Sequence, residues 1–266
     1  MTGPDFASYL DHLRVESRRF RDVLAACDPS ARVPACPEWD AADLVWHLAQ
    51  VQWSWARTVR LRPAARPDPD GESPQRPASY DELLKAFDES STALIQELER
   101  ADPAEAAWTW SAEQTVGFTY RRQAHEALIH RLDAEQTAGV EPLPFDPELA
   151  ADGVLEVLDV MYGGCPPWGR FDPLPQHLEL RLTDTQSSVW VQLGRFSGTD
   201  PEGRAHAEPD LRVVAEPGSS AAAVVSGTAG DVDRWLWRRT DDSGITVSGD
   251  KEVYDGVRTI LNQPLN

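Results

Sequence analysis

Residues 121–135 read RRQAHEALIHRLDAE, a helical pattern with the strongest local cluster of histidine and acidic side chains in the chain. At about 100° per residue, Glu126 and His130 lie about 40° apart, one turn apart on one helix face. A carboxylate and an imidazole placed in this way can share one divalent metal ion. His125 and His130 are about 140° apart, so we do not expect them to bind together. This spacing differs from the HExxH motif and excludes a simple metalloprotease assignment.

A third metal ligand has to come from another helix, and His47 is the candidate, within DLVWHLAQ (residues 43–50). Two simpler interpretations remain open. His47 could be a core histidine bonded to Asp43, one turn earlier. Glu126 and His130 could form an exposed ion-pairing face. Together the two features permit a His–Glu–His site. Three protein ligands leave one coordination position open, which is typical of catalytic rather than structural metal sites.

The first half of the chain reads as helices joined by long connections. Apolar spacing and turn signals predict helices at 6–27, 40–60, 79–100 and 119–138. Asp43, three residues after Asp40, and Glu82, three residues after Ser79, are the acids expected in capping boxes. The proline-rich segment 61–78 is predicted to be a long loop. Four helices of this kind predict a four-helix bundle over residues 1–145.

The pattern changes after residues 141–147, and an α+β domain is expected over residues 146–266. A helix is predicted at 147–162. Three alternating runs then read as antiparallel strands: HLELRLTD, SSVWVQLG and DLRVVAE. SGTAGDVDRWLWRRT reads as a turn into a helix, GITVSGD as a strand and KEVYDGVRTILN as a final helix. The fold class is therefore an α plus α/β two-domain chain, whose second domain has a small antiparallel sheet.

Composition limits the partners that are expected. Acidic residues outnumber basic ones 44 to 25, a net charge of −19, which disfavours nucleic acids and anionic membranes. No apolar run approaches the roughly 18 residues that span a bilayer, and the N-terminus does not resemble a signal peptide. The three cysteines are sparse and include no CxxC pair. We expect a soluble cytoplasmic protein that acts on small molecules, as a monomer or small homo-oligomer.

Three segments together resemble the mycothiol-dependent maleylpyruvate isomerase family, which belongs to the DinB-like metal-binding four-helix-bundle superfamily. They are CPEWDAADLVWHL (36–48), HEALIHRLDAE (125–135), and VSGTAGDVDRWLWRRT with the GITVSGD that follows (225–250). The resemblance implies that His47, Glu126 and His130 bind a divalent metal, usually zinc. It also fits an actinobacterial source, since only two of the 25 basic residues are lysine.

The resemblance further implies a low-molecular-weight thiol cofactor such as mycothiol. Coordination to Zn²⁺ deprotonates a thiol, so an open metal position could hold the cofactor as a thiolate nucleophile. The implied reaction is maleylpyruvate-type isomerisation, in which the thiolate adds to a double bond and is later eliminated, or transfer of the thiol to an electrophile. A metal-dependent hydrolase and a non-catalytic binding or regulatory protein remain as alternatives.

Other residues have weaker claims to a role. Helix spacing makes Asp43 and Asp133 candidates to accept the second ring N–H of His47 and His130, although both could be ordinary exposed acids. Trp39 and Trp46 could line a pocket or simply pack in the core. The thiol of Cys36 has no evident histidine partner and is interpreted as structural or incidental.

Arginines of the second domain are candidates for binding a carboxylate-bearing substrate. Arg234, Arg238 and Arg239 cluster around two tryptophans, and the resembled family uses a C-terminal arginine near its active site. Arg238 is the first choice for this catalytic role and Arg239 the second. The alternative is that these arginines only balance the charge of an acidic surface.

Overall fold

The computed structural model describes residues 3–63 and 73–263, so residues 64–72 of the predicted proline-rich loop lie outside the described residues. The chain divides into two compact units, Pro4–Pro144 and a second unit made mainly of residues 145–263. Within the described part of the first unit, the long helices are α1 (Phe6–Ala25), α2 (Ala41–Leu61), α3 (Tyr80–Arg100) and α4 (Val116–Thr137). The predicted helical N-terminal region is confirmed.

Side-chain caps set where these helices begin. Asp40 and Asp43 exchange hydrogen bonds with each other's backbone N–H groups at the start of α2, and Ser79 and Glu82 do the same for α3. Both are capping boxes, which satisfy backbone donors that a helix leaves unpaired. The segment before α2 forms a short antiparallel hairpin of β1 (Arg32–Val33) and β2 (Cys36–Asp40).

Helices α2 and α4 run in opposite directions. The ring of Trp55 packs 5.9 Å from the ring of Phe118. Earlier on α2, His47 faces Glu126, which comes later on α4. This antiparallel packing brings the middle of α2 against the middle of α4.

Helices α2 and α3 run in the same direction. Leu44 and Leu83, near the two N-terminal ends, share one hydrophobic core cluster, while Arg60 and Glu97, near the two C-terminal ends, form an ion pair of 3.1 Å. Parallel neighbours need a connection that returns along the length of the pair. In the sequence, residues 62–79 separate the end of α2 from the start of α3.

Helix α4 is packed against α1 through a buried network of charges. Arg131 donates to Glu16 and to Glu135, each at 2.7 Å, and to the carbonyl of Leu143 at 2.8 Å. Arg19 adds a second cation beside Glu135 at 2.8 Å. The side chains of Arg131 and Glu135 are 1% and 0% exposed. Each buried charge in this network therefore has an opposite charge beside it, as burial requires.

The second unit is an α+β domain. Its helices are α5 (Pro147–Glu156), continued by a π-helical turn (Val157–Met161), α6 (Ala229–Leu236) and α7 (Lys251–Leu261). Its strands are β3 (Gly169–Leu182), β4 (Ser187–Thr199), β5 (Ala205–Val214), β6 (Ala223–Gly227) and β7 (Thr246–Gly249), which pair in the order β5-β4-β3-β6-β7. The predicted α+β class is confirmed.

The prediction of a small antiparallel sheet was wrong in one respect, because β3 and β6 pair in parallel and the sheet is mixed. Strand β6 (Ala223–Gly227) was not predicted from the sequence. This five-residue run follows a segment rich in serine and alanine and leads directly into the turn before α6, so it shows no clear alternation. Its extended state depends on long-range pairing with β3 and β7, which a local pattern does not report.

Among residues 3–63 and 73–263, the helices are either too short or too polar to cross a bilayer.

The buried network on α4 can be tested by the substitution Arg131→Met. It leaves Glu16 and Glu135 buried without their principal cation, so we expect the free energy of unfolding to fall by about 3–5 kcal/mol in urea denaturation. Arg18→Met is the matched control, since Arg18 is exposed and lies 3.9 Å from Asp22, and it should leave the midpoint nearly unchanged. Equal effects of the two substitutions would contradict the assignment.

Candidate metal centre

The structure brings the three predicted ligands together. One donor atom each from His47, Glu126 and His130 lies within 4.8 Å of the others. Glu126 Oε1 is 3.4 Å from His47 Nε2 and 3.2 Å from His130 Nε2. Donor atoms about 2.0–2.1 Å from a tetrahedral zinc ion are about 3.3 Å apart. The identity and the spacing of the donor atoms therefore fit a divalent metal such as zinc.

The position of each ligand follows from the helices that carry it. Glu126 and His130 occupy one face of α4 at i and i+4, and the antiparallel packing of α2 places His47 opposite them. The ring of His47 lies edge-on to the ring of His130, with 4.8 Å between the ring centres. The ring of Trp39 lies 4.7 Å from the ring of His47. His47 is the most exposed of the three, at 32% of its side chain against 9% for His130. The site thus opens to solvent beside His47.

Asp133 fixes the orientation of His130. The Nδ1–H of His130 donates to Asp133 Oδ2 at 3.0 Å, and the Asp133 side chain is fully buried. This bond leaves Nε2 facing the other two ligands, as predicted from the three-residue spacing. Burial lowers the pKa of His130, but the hydrogen bonds and charges of Asp133 and Glu126 outweigh it and raise that pKa to about 9.

Arg122 is a site residue that the sequence interpretation missed. It lies one turn before Glu126 on α4, and its Nη2 donates to Glu126 Oε2 at 2.7 Å. Burial raises the pKa of Glu126, but hydrogen bonds from His130 and His47 and the Arg122 charge together hold it well below its usual range. The available signal was an arginine four residues before a glutamate, a spacing that favours an ion pair on a helix.

Asp43 does not have the expected role. Its carboxylate accepts from the backbone N–H of Asp40 at 3.1 Å and from Arg76 Nη1 at 2.6 Å. The third residue of a helix faces the unpaired N–H groups of the first turn, and the capping box uses Asp43 for that purpose. Burial raises the pKa of Asp43, but the hydrogen bonds from Arg76 and Asp40 outweigh burial, so the pKa lies below its usual value.

The other residues of the first unit that the sequence singled out are packed against buried side chains. Trp39 contacts the ring of His47 and is also packed against the hydrophobic core. Trp46 and Cys36 are packed against the same core, which is consistent with the structural interpretation of both. His125 is buried on a different face of α4, where its ring meets that of Tyr9 at 6.1 Å.

The arginine cluster belongs to the second unit. Arg238 is exposed, and its Nη1 donates to the Gln263 carbonyl at 3.3 Å. Its backbone adopts the left-handed conformation, with φ of 59°. Arg239 Nη1 donates to the Trp237 carbonyl at 2.8 Å. Arg234 pairs with a neighbouring acid within α6 and lies over an aromatic ring. A role for Arg238 in substrate binding stays a prediction.

Sequence profiles of known families cover most of the chain. The profile described as the mycothiol maleylpyruvate isomerase N-terminal domain matches residues 10–135, and that of the C-terminal domain of the same enzyme matches residues 148–256. The chain belongs to the mycothiol maleylpyruvate isomerase family. Both halves of the molecule, the helical region and the α+β domain, are thus accounted for by one family.

Solved structures show the same fold. The crystal structure of the mycothiol-dependent maleylpyruvate isomerase matches with a TM-score of 0.63 and 14% identity, over 93% of this chain and 96% of that one. A histidine-to-alanine mutant of that isomerase matches with a TM-score of 0.60, at the same identity and coverage. A likeness at this level of identity shows the fold alone. No curated protein sequence matches the chain.

The orienting role of Asp133 can be tested by Asp133→Asn. Without the carboxylate, His130 Nε2 is held less firmly, and we expect zinc affinity to fall about 10–100-fold in competition with a chelator. Asp43→Asn is the matched control, because Asp43 contacts Asp40 and Arg76, and it should leave zinc affinity unchanged. If both variants weaken zinc equally, the role assigned to Asp133 is wrong.

Proposed function

We propose that this chain is a metal-dependent enzyme that uses a low-molecular-weight thiol, mycothiol or a similar compound, as its cofactor. Its reaction is an isomerisation of the maleylpyruvate type or transfer of the thiol to an electrophile. The observation that carries the proposal is the convergence of His47, Glu126 and His130 on one point, in a chain of the mycothiol maleylpyruvate isomerase family.

The donor set favours zinc as the metal. Two imidazole nitrogens and one carboxylate oxygen are common zinc donors, and three protein ligands correspond to a catalytic site. A bound zinc ion supplies a positive charge that lowers the pKa of a coordinating thiol, so that the thiol is deprotonated at neutral pH. Both candidate reactions need this thiolate.

The residues of the chain prepare the site for that chemistry. Asp133 accepts the Nδ1–H of His130 and so directs Nε2 toward the other two donors. Arg122 holds one oxygen of Glu126, and the other oxygen faces both imidazoles. His47 marks the accessible side of the site, and Trp39 supplies an apolar surface beside it. These side chains bind, orient and shield.

The substrate is proposed to be a small molecule that carries a carboxylate. Arg238 is exposed and is the first choice to bind it, through a guanidinium that suits a carboxylate. Arg239 remains the second choice. Arg234 is less suited, because its guanidinium is already paired with Asp231 at 3.1 Å.

Metal content and thiol dependence test the proposal directly. Purified protein should contain close to one zinc or similar divalent ion per chain. His47→Ala and Glu126→Ala should abolish binding, because two ligands hold zinc far less tightly than three. His125→Gln is the matched control, since His125 faces Tyr9, and it should keep its metal. A stoichiometric ion in His47→Ala would remove the triad from the proposal.

The dependence of turnover on an added thiol is the second measurement of this test. Activity on an electrophile or a cis-enone should require an added low-molecular-weight thiol. Full turnover without thiol would favour a hydrolase, in which the open position activates water.

The backbone of Arg238 allows a sharper test of its role. A left-handed residue after the last turn of a helix is usually glycine, and a side chain there costs about 1 kcal/mol. Arg238→Gly should therefore stabilise the protein by about 1 kcal/mol, yet raise KM for an acidic substrate without changing metal content. Gln186→Gly is the matched control, because Gln186 also has a left-handed backbone, with φ of 52°. It should stabilise the protein and leave KM unchanged. An unchanged KM in Arg238→Gly would exclude Arg238 as the substrate-binding arginine.

A further inference from the structure

The two carboxylate oxygens of Glu126 have different surroundings. Oε1 lies 3.2 and 3.4 Å from the Nε2 atoms of His130 and His47. Oε2 accepts a hydrogen bond of 2.7 Å from Arg122, whose side chain is only 4% exposed. One oxygen thus faces the imidazoles, and the other is held by a buried guanidinium on the same helix.

We propose that Arg122 is a positioning residue that restricts Glu126 to one metal-binding oxygen, and so keeps the fourth coordination position free for the thiol. This inference rests on the proposed function, since it concerns the same metal and the same thiol. It assigns Arg122 a purpose beyond neutralising a buried carboxylate.

The argument begins with the ways in which a carboxylate can bind a metal. A glutamate can offer one oxygen or both. With both oxygens bound, Glu126 and the two histidines would supply four donor atoms, the number found in closed structural zinc sites. With one oxygen bound they supply three, and a position stays open.

Arg122 makes the first arrangement costly. An arginine side chain stays protonated in proteins, and its charge-assisted hydrogen bond to a carboxylate is among the stronger ones. If Oε2 turned toward a metal, the buried guanidinium would lose its ion pair with Glu126, which a protein interior penalises. Both residues lie on α4 one turn apart, so little backbone movement is available to restore the pair.

Charge acts in the same direction. Arg122 compensates the negative charge of Glu126, and the two imidazoles are neutral when they bind a metal. A dication at this site would therefore keep most of its positive charge and favour an anionic sulfur ligand over a neutral one. The pair with Arg122 thus favours thiolate binding through geometry and through charge.

The experiment uses the full chain loaded with Co²⁺, whose visible absorption is intense in four-coordinate sites and weak when the coordination number is higher. The variants are Arg122→Met, which has similar length without charge or donor, and Arg122→Lys, which restores both. Arg121→Met is the matched control from the neighbouring position on α4. β-Mercaptoethanol is the thiol probe, and its binding is followed by the sulfur-to-cobalt charge-transfer band. Affinity for Co²⁺ is measured by chelator competition.

In Arg122→Met, Glu126 should bind through both oxygens. We expect Co²⁺ affinity to be unchanged or higher, while the visible band changes in intensity and thiol affinity falls at least about tenfold. Arg122→Lys should recover much of the thiol affinity, and Arg121→Met should resemble the unmodified protein. A purely structural role would instead weaken metal and thiol binding together.

Two outcomes would overturn the inference: loss of Co²⁺ from folded Arg122→Met, or an unchanged spectrum with unchanged thiol affinity. If Arg122→Met does not fold, as judged by circular dichroism, Arg122→Gln keeps a hydrogen-bond donor without the charge. It should then show the same direction of change in thiol affinity, and no change would count against the inference. Failure of the unmodified protein to bind Co²⁺ would be a failure of the proposed function instead.

Discussion

A charge placed inside a protein needs an opposite charge beside it, because an unpaired ion in the interior costs several kcal/mol. Helix α4 meets this requirement along most of its length. Arg131 lies between Glu16 and Glu135, and Glu126 lies between Arg122 and His130. The first set fastens α4 to α1. The second set faces α2 and includes two of the proposed metal ligands.

The two sets of charges differ in how they are completed. In the first set every charge has its partner within the protein, so the set is complete as it stands. In the second set, the Nε2 atoms of His47 and His130 converge on the same oxygen of Glu126. A divalent ion would satisfy these three donors at once, and the proton on His130, whose pKa is raised to about 9, would have to leave as the ion binds. Helix α4 thus carries both a structural ion-pair network and two of the proposed metal ligands.

The parallel arrangement of α2 and α3 has a consequence for the site. A long connection joins the end of α2 to the start of α3, and Arg76 in this connection is the ion-pair partner of Asp43. The carboxylate of Asp43 therefore bonds to the start of α2 and to this connection. Of the two predicted carboxylate–histidine pairs, Asp133 and His130 form theirs, whereas Asp43 bonds to Asp40 and Arg76. His47 instead has the ring of Trp39 beside it, at the side where the site is exposed, so the two histidines are held in different ways.

Local rules of the sequence determined much of this protein. The capping boxes at Asp40 and Ser79, the four-residue interval from Glu126 to His130, and the three-residue interval to Asp133 all depend on the geometry of a single helix. Such geometry repeats every 3.6 residues wherever a helix forms, so it can be inferred from spacing alone. The same reasoning set His125 on a different face of α4.

Tertiary packing decided the rest. The pairing of β6 with β3 joins segments far apart in sequence, and a five-residue run without alternation does not specify its partner. Asp43 lies one turn before His47 and also in the first turn of its own helix, and its carboxylate accepts from the backbone N–H of Asp40 and from Arg76. The spacing of Arg122 and Glu126 was recognisable in the sequence, yet the role of Arg122 depends on its burial, which spacing does not report. The sequence by itself determined the helices and the identity of the donors, whereas the tertiary structure decided which charges pair, because pairing depends on distance and on exclusion of water.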